Sequence, residues 1–397
     1  MRALKLISVC IAVGLPMISN SAFADDNFRF SGYARYGAAF QDKDEKLVKT
    51  AGALNGNATG RLGNENNGGE FGLSKGYTSA LGDQWDIVVL LDHYSDEPWA
   101  KNGTGGVKVK KAYASVTNFV DSQPELKVWA GRNFHQRPQT NLNDYFWMTH
   151  DGQGAGFYNL NLGGVKLDFG AVGQVQSDLV GDNGKYAVTS KLHGINLFDD
   201  ASVEFYANYG FASKKLQDKP DYYNTKAYQL AADLSMAGHH LLFRYADNAK
   251  DSVFELTKDQ RAWLVSFNGA SKISDQAAVE YLAAYQFLDV AGNEDRANYN
   301  VVVRPTYNWD SINSTWIEAG YSVVDYKDIN ARNSSWKLTL SQNIEIGSQV
   351  PAHPMLRFYT TVGKADNEYI GFDSKTGNMK SSNLDTLTFG AMFEAWW

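Results

Sequence analysis

The sequence predicts an all-β fold: a single antiparallel β-barrel whose strands cross a membrane. Three observations point there. Runs of residues alternate apolar and polar with period two. Aromatic residues make up 13 % of the chain, as 22 Tyr, 21 Phe and 10 Trp. An apolar leader ends in a small-residue cleavage motif.

The leader comes first. Arg2 and Lys5 open it, Leu6 to Ile18 is mostly apolar, and Ala22-Phe23-Ala24 supplies an A-x-A cleavage site. Residues 1–24 therefore read as a secretory signal and 25–397 as one domain. The apolar run is too short to span a bilayer as a helix. Cys10 falls inside the leader, so the remainder has no cysteine for disulfides or thiol chemistry. Taking 24 residues from 397 leaves 373, and loss of two cations moves the net charge from −7 to −9. So acidic a chain lacks the basic footprint that nucleic acid requires. No later stretch approaches 18 apolar residues, which excludes a bundle of membrane helices. A barrel stays open, because only every second strand residue meets lipid.

The strands follow from the alternation. Near the start, Phe28, Phe30, Ala34 and Tyr36 share one face, and Arg29, Ser31, Tyr33 and Arg35 the other. Around Trp316 to Val323, Ile317, Ala319, Tyr321 and Val323 face out while Trp316, Glu318 and Ser322 face in. Leu356, Phe358, Thr360 and Val362 alternate with Arg357, Tyr359 and Thr361. At the end, Leu387, Phe389, Ala391, Phe393, Ala395 and Trp397 form an apolar face. Thr388, Gly390, Met392, Glu394 and Trp396 form a mixed one, as a strand between lipid and a wet lumen requires.

Turns punctuate the strands at Leu162-Gly163-Gly164, Asp182-Asn183-Gly184, Ala237-Gly238 and Asn308 to Asn313. Longer polar segments, Gln41 to Gly60 and Asn367 to Asn383, read as outer loops. A soluble sandwich or β-helix also alternates. Here the apolar faces run for about ten residues, the length a tilted strand needs to cross a bilayer. The chain also ends on an aromatic within a strand.

Catalytic patterns are weak. The seven histidines, His93, His135, His150, His193, His239, His240 and His353, give no H-E-x-x-H spacing, and no G-x-S-x-G or phosphate-binding loop occurs. Glu318 and Glu394 could suggest glycosidase chemistry, but acids on a lumen face more often line a channel wall. The chain reads as a non-enzyme without a cofactor or metal.

Several segments resemble the maltoporin family of sugar-specific porins. They are Phe30-Ser31-Gly32-Tyr33-Ala34-Arg35, Gly60-Arg61-Leu62-Gly63-Asn64-Glu65 and the terminal Phe393-Glu394-Ala395-Trp396-Trp397. Trp129 to Arg137, Asn143-Asp144-Tyr145-Phe146-Trp147 and Gly154-Ala155-Gly156 complete the set, in matching order across nearly the whole domain. The resemblance implies an 18-stranded homotrimer in the outer membrane of a Gram-negative bacterium, set among lipid and lipopolysaccharide. It also implies a third extracellular loop, about Asn133 to Gln153, that folds inward. The implied function is passive diffusion of carbohydrates, with general diffusion of small solutes as the alternative.

It further implies a line of sugar-stacking aromatics and a polar track. The matching aromatics are Tyr33, Phe71, Trp99, Trp396 and, at the constriction, Phe146. Trp99 would reach a neighbouring subunit. The track would comprise Arg35, Arg61, Lys110, Arg137 and Asp144. A pyranose offers a C–H face to a ring and a rim of hydroxyls to polar groups, so this chemistry suits it. Two regions depart from the family: Ala237-Gly238-His239-His240 and Pro351-Ala352-His353-Pro354 lack the expected aromatics. Gln139 and Asn141 stand where ionisable residues are expected. A shortened aromatic line argues against long maltodextrins.

Overall fold

The computed structural model describes residues 28–40, 47–95, 106–175, 182–292, 294–346, 353–374 and 376–397. The expected signal segment and Trp99 lie outside the described residues.

Strand β1 (Phe28–Phe40) is followed by β2 (Gly68–Thr78), β3 (Gln84–Tyr94), β4 (Lys108–Thr117) and β5 (Lys127–Asn133). Two short strands, β6 (Gln139–Thr140) and β7 (Tyr145–Phe146), pair only with each other. The barrel resumes with β8 (Gly152–Asn161), β9 (Lys166–Val175), β10 (Asp182–Phe198), β11 (Ala201–Ala212) and β12 (Ala227–Met236). Then come β13 (His239–Asp247), β14 (Arg261–Lys272), β15 (Ala277–Asp289) and β16 (Arg296–Asn308). The last are β17 (Asn313–Tyr326), β18 (Ala331–Glu345), β19 (His353–Asn367) and β20 (Ser382–Trp396).

Without β6 and β7 these make one 18-stranded antiparallel sheet in which each strand pairs with its barrel neighbours in sequence. Pairing of β1 with β20 closes it, Tyr33 standing opposite Trp396 and Arg35 opposite Glu394. Closure removes the free edges that hydrocarbon could not satisfy.

The period-two pattern becomes two environments. Phe28, Ile317, Tyr321, Leu356, Phe358, Leu387 and Phe389 are exposed on the outer face. Their sequence neighbours Glu318, Arg357, Thr361, Thr388 and Glu394 are buried on the inner one. Turns such as 237–238 lie at one mouth and the longer connections at the other.

The inner surface is buried because loops fill it. Residues 134–151 fold inward as expected, clamped by Arg244 of β13 to the Trp147 carbonyl and by the Tyr145 hydroxyl donating to Asp251 at 2.6 Å. Residues 248–260 also enter, with Val253, Phe254 and Leu256 packing with Trp129, Tyr113 and Tyr158 in the largest apolar cluster.

One expectation is corrected. Gln41 to Gly60 reads as an outer loop, yet its described part, from residue 47, runs down the inner wall. Leu54 N–H donates to Asn298 at 2.9 Å, Asn55 to Asn300 at 2.9 Å, and Ala51 N–H to Asn367 at 2.9 Å. A polar segment suits a wet lumen as well as bulk water, so polarity alone does not separate the two. Glycine makes the fit possible at Gly320 of β17, where any Cβ would collide with the Thr59 backbone.

Candidate lumenal site

Two arrangements occupy the middle of the lumen. The first is an ion network joining β1, β19, β20 and the first and third loops. Glu394 lies at its centre. Its carboxylate accepts from the Tyr33 hydroxyl at 2.6 Å and from Arg357 at 2.6 Å, and it pairs with Arg61. Glu65 bridges Arg357 at 2.7 Å and Arg61 at 3.6 Å. Arg35 reaches Asp144 of the third loop at 3.1 Å and the Asn66 carbonyl at 2.9 Å. Gln139 donates to the other Asp144 oxygen at 2.6 Å.

A companion network fixes the first loop to β17 and β18. Lys337 donates to the Gly60 carbonyl at 2.7 Å and pairs with Glu318 at 3.1 Å, and Glu318 also accepts from Leu62 N–H at 2.9 Å. Backbone bonds then join the loops: Asn57 N–H to the Asn143 carbonyl at 2.7 Å and Arg61 N–H to that of Leu142 at 2.9 Å. Buried charges require partners, and here each carboxylate has at least two.

The second arrangement is a stack on the third loop. The Arg137 guanidinium lies 4.1 Å from the centre of the Phe134 ring and 3.9 Å from that of Phe146. Lys111 places its ammonium 4.7 Å from the Phe134 centre. These rings are half-buried, whereas Tyr33, Arg35, Arg61, Glu65, Arg357 and Glu394 are buried. A guanidinium between two rings is held flat by cation–π attraction, leaving its edges free to donate. Asp151 lies 3.6 Å from Arg137.

The expected residues separate accordingly. Tyr33, Arg35, Arg61 and Asp144 are brought together, but Tyr33 is only 5 % exposed, its ring covered within the ion network. Arg137 and Phe146 meet in the stack. Lys110 faces the lumen and pairs with Asp92 at 3.3 Å. Trp396 is half-buried on the inner-face register of β20, opposite Tyr33, near the short-turn mouth.

Phe71 is corrected. It stands opposite Gly32, on the face of β2 that carries exposed Leu73 and Tyr77, and its ring packs 6.0 Å from Trp397 on the outside. The resemblance supplies Phe71 without fixing its face, and Gly68 and Gly69 ahead of it carry no side chain to set the alternation. Glu70 takes the inner-face register instead.

Sequence reasoning missed Phe134, Lys111, Glu65 and Arg357 as members of these clusters. Alternation would put Lys110 and Lys111 on opposite faces. A bulge opposite Leu90 and Leu91 turns both inward, and an extra residue of this kind leaves no sequence signal. Arg357 was readable as inward-facing, but not its partners.

No helix among the described residues is long and apolar enough to cross a membrane, which says nothing of strands. Among them, no group of histidines and carboxylates has the arrangement of a metal site.

Solved structures of other barrels are similar to this chain at low identity. OmpT of Vibrio cholerae in its trimer form is 12 % identical, over 94 % of this chain and 99 % of that one, with a TM-score of 0.47. A mutant Rh. blastica porin is 11 % identical over 93 % and 100 %, at 0.44. Wzi, described as a carbohydrate-binding β-barrel involved in group 1 capsule assembly in Escherichia coli, is 9 % identical over 92 % and 83 %, at 0.48. The family model described as LamB porin matches residues 28–397, from the first residue of β1 to the terminal tryptophan. The protein belongs to the LamB porin family, and it is an outer-membrane porin.

Proposed function

We propose that this porin passes carbohydrates and selects them at the Phe134–Arg137–Phe146 stack. The observation that carries the reading is the guanidinium held 4.1 Å and 3.9 Å from two ring centres while the rings stay partly open. The open ring surface meets the C–H face of a pyranose, and the Arg137 edge, with Lys110 and Asp144 nearby, meets its hydroxyls. Shallow contacts suit conduction, because a deep well would trap the sugar. Trp396 offers a further ring toward the short-turn mouth. Tyr33, Arg35 and Arg61 act by fixing the loops. The substrates are short oligosaccharides or other glycosides, and the working unit is a homotrimer in the lipopolysaccharide-bearing outer membrane of a Gram-negative bacterium.

A second reading, general diffusion of small hydrophilic solutes, draws on the covered Tyr33 ring. Single-channel recording with added sugars separates them. Sugar-dependent block that weakens in Phe146→Ala supports selection at the stack. A current indifferent to every sugar tested leaves general diffusion.

A further inference from the structure

A second charged zone lies away from the constriction, on strands β9 to β13 toward the short-turn mouth, the periplasmic end of such barrels. Asp168 of β9, Lys191 and His193 of β10, Glu204 of β11, Asp233 of β12 and His240 of β13 follow one another across adjacent strands. Asp168 stands opposite Lys191, and Glu204 opposite Asp233. Each side chain shares the inner-face alternation of its strand, with Val172, Tyr206, Ala231 and Leu242 as buried markers.

The contacts link them in pairs. His193 Nε2 lies 3.0 Å from Asp168, which also accepts from Asn159 N–H at 2.7 Å. Lys191 meets Glu204 at 2.9 Å, and the Tyr206 hydroxyl donates to the same carboxylate at 2.8 Å. His240 Nδ1 lies 3.1 Å from both Asp233 oxygens. The surrounding elements bring few other charges. Lys166, opposite His193, is already paired with Glu125, and Asn268 stands opposite His240. Glu280 and Arg304, farther round the wall, pair with each other at 2.7 Å. His135 faces Asp168 from the third-loop side, its ring tied to Thr189 and, at 3.0 Å, to Tyr158.

Three carboxylates thus face one lysine. The belt carries two net negative charges when both imidazoles are neutral and none when both are protonated. Histidine is the side chain that changes charge between about pH 5 and 8. Wall charge within a Debye length, about 10 Å at 0.1 M salt, sets which small ion accumulates. We propose that this belt makes the porin cation-selective near neutral pH and releases that selectivity on acidification, through protonation of His193 and His240. Substrate selection at the stack plays no part in it.

The test is the reversal potential of the full-length porin in a planar bilayer, under a KCl gradient, at about pH 7.5 and about pH 5.5 on either side of free imidazole. Cation preference should fall at the lower pH in the wild type. In His193→Gln/His240→Gln it should keep its neutral value at both. Asp168→Asn/Asp233→Asn removes two negative charges but keeps both imidazoles, so it should show a weak preference near neutral pH and move toward anions on acidification. Heat-modifiable mobility of each variant on gels reports that the barrel has formed. A wild type with the same reversal potential at both pH values overturns the proposal, as does a double histidine variant with the full wild-type response.

Discussion

The Arg35 guanidinium meets the Asp144 carboxylate at 3.1 Å, tying the first strand of the barrel to the tip of the third loop. Asp144 adopts a positive φ of 50°, a conformation that a short carboxylate side chain tolerates and most others resist. The pair therefore reinforces a turn whose own backbone closure includes Asp144 N–H donating to the Asn141 carbonyl at 3.3 Å. Asp144→Asn keeps the shape and removes the charge. It should loosen the loop at a cost of about 1 kcal/mol and raise open-channel current noise. A noise spectrum identical to wild type would refute the clamp.

Glu394 offers a harsher test. Replacing it with Gln leaves Arg61 and Arg357 facing each other across a neutral amide. Breaking a buried pair of this kind costs about 3–5 kcal/mol. The variant should unfold at lower urea in lipid vesicles, and an unchanged midpoint would contradict the network. Removing charge on both sides, as in Glu394→Gln/Arg61→Gln, should recover part of the loss.

Gly320 speaks to the position of the first loop. Gly320→Val puts a branched side chain where the Thr59 backbone lies, and backbone cannot swing aside. The first loop should leave the wall, and single-channel conductance should rise. Wild-type conductance would show that this loop does not narrow the pore.

The inward loops also predict an acid limit. Burial holds the His135 imidazole down at about 4, although the charge of Asp168 partly opposes this, and it holds His150 at about 3. An unfolded histidine takes its proton near 6.5, so below that pH the unfolded chain binds more protons than the folded one. The stability from these residues is complete above about pH 6.5 and declines as pH falls toward the folded values. Melting temperature should drop between about pH 7 and 4.5, and less steeply in His135→Gln. Parallel curves would dismiss the histidine.

The barrel was legible because lipid and lumen impose opposite polarities on successive residues, so Phe358 and Arg357 each announce their side. The site was legible only in part. Phe146 and Arg137 could be placed on one loop, but the partnership of Arg137 with Phe134 depends on how residues 134–146 double back. The bulge that turns Lys111 inward alters register without altering composition. The first loop misled because Asn55, whose amide donates to Asn300, finds partners on the wall as readily as in solvent. Phe71 misled because a resemblance places a residue along a strand without fixing which face it takes.

The closing seam has a consequence for assembly. Trp397 exchanges backbone hydrogen bonds with Gly32 at 2.9 and 3.1 Å, and its ring packs 5.4 Å from Phe30 and 6.0 Å from Phe71. Strand β1 therefore waits for β20, with Tyr33 and Glu394 separated by 361 positions along the chain. Hairpins between sequence neighbours form at small entropic cost, whereas this join carries the largest loop-closure entropy in the molecule. Until it forms, two strand edges remain unpaired in the way that invites aggregation. The order of events is thus written into the topology: the ribbon of hairpins comes first, and the ring closes last.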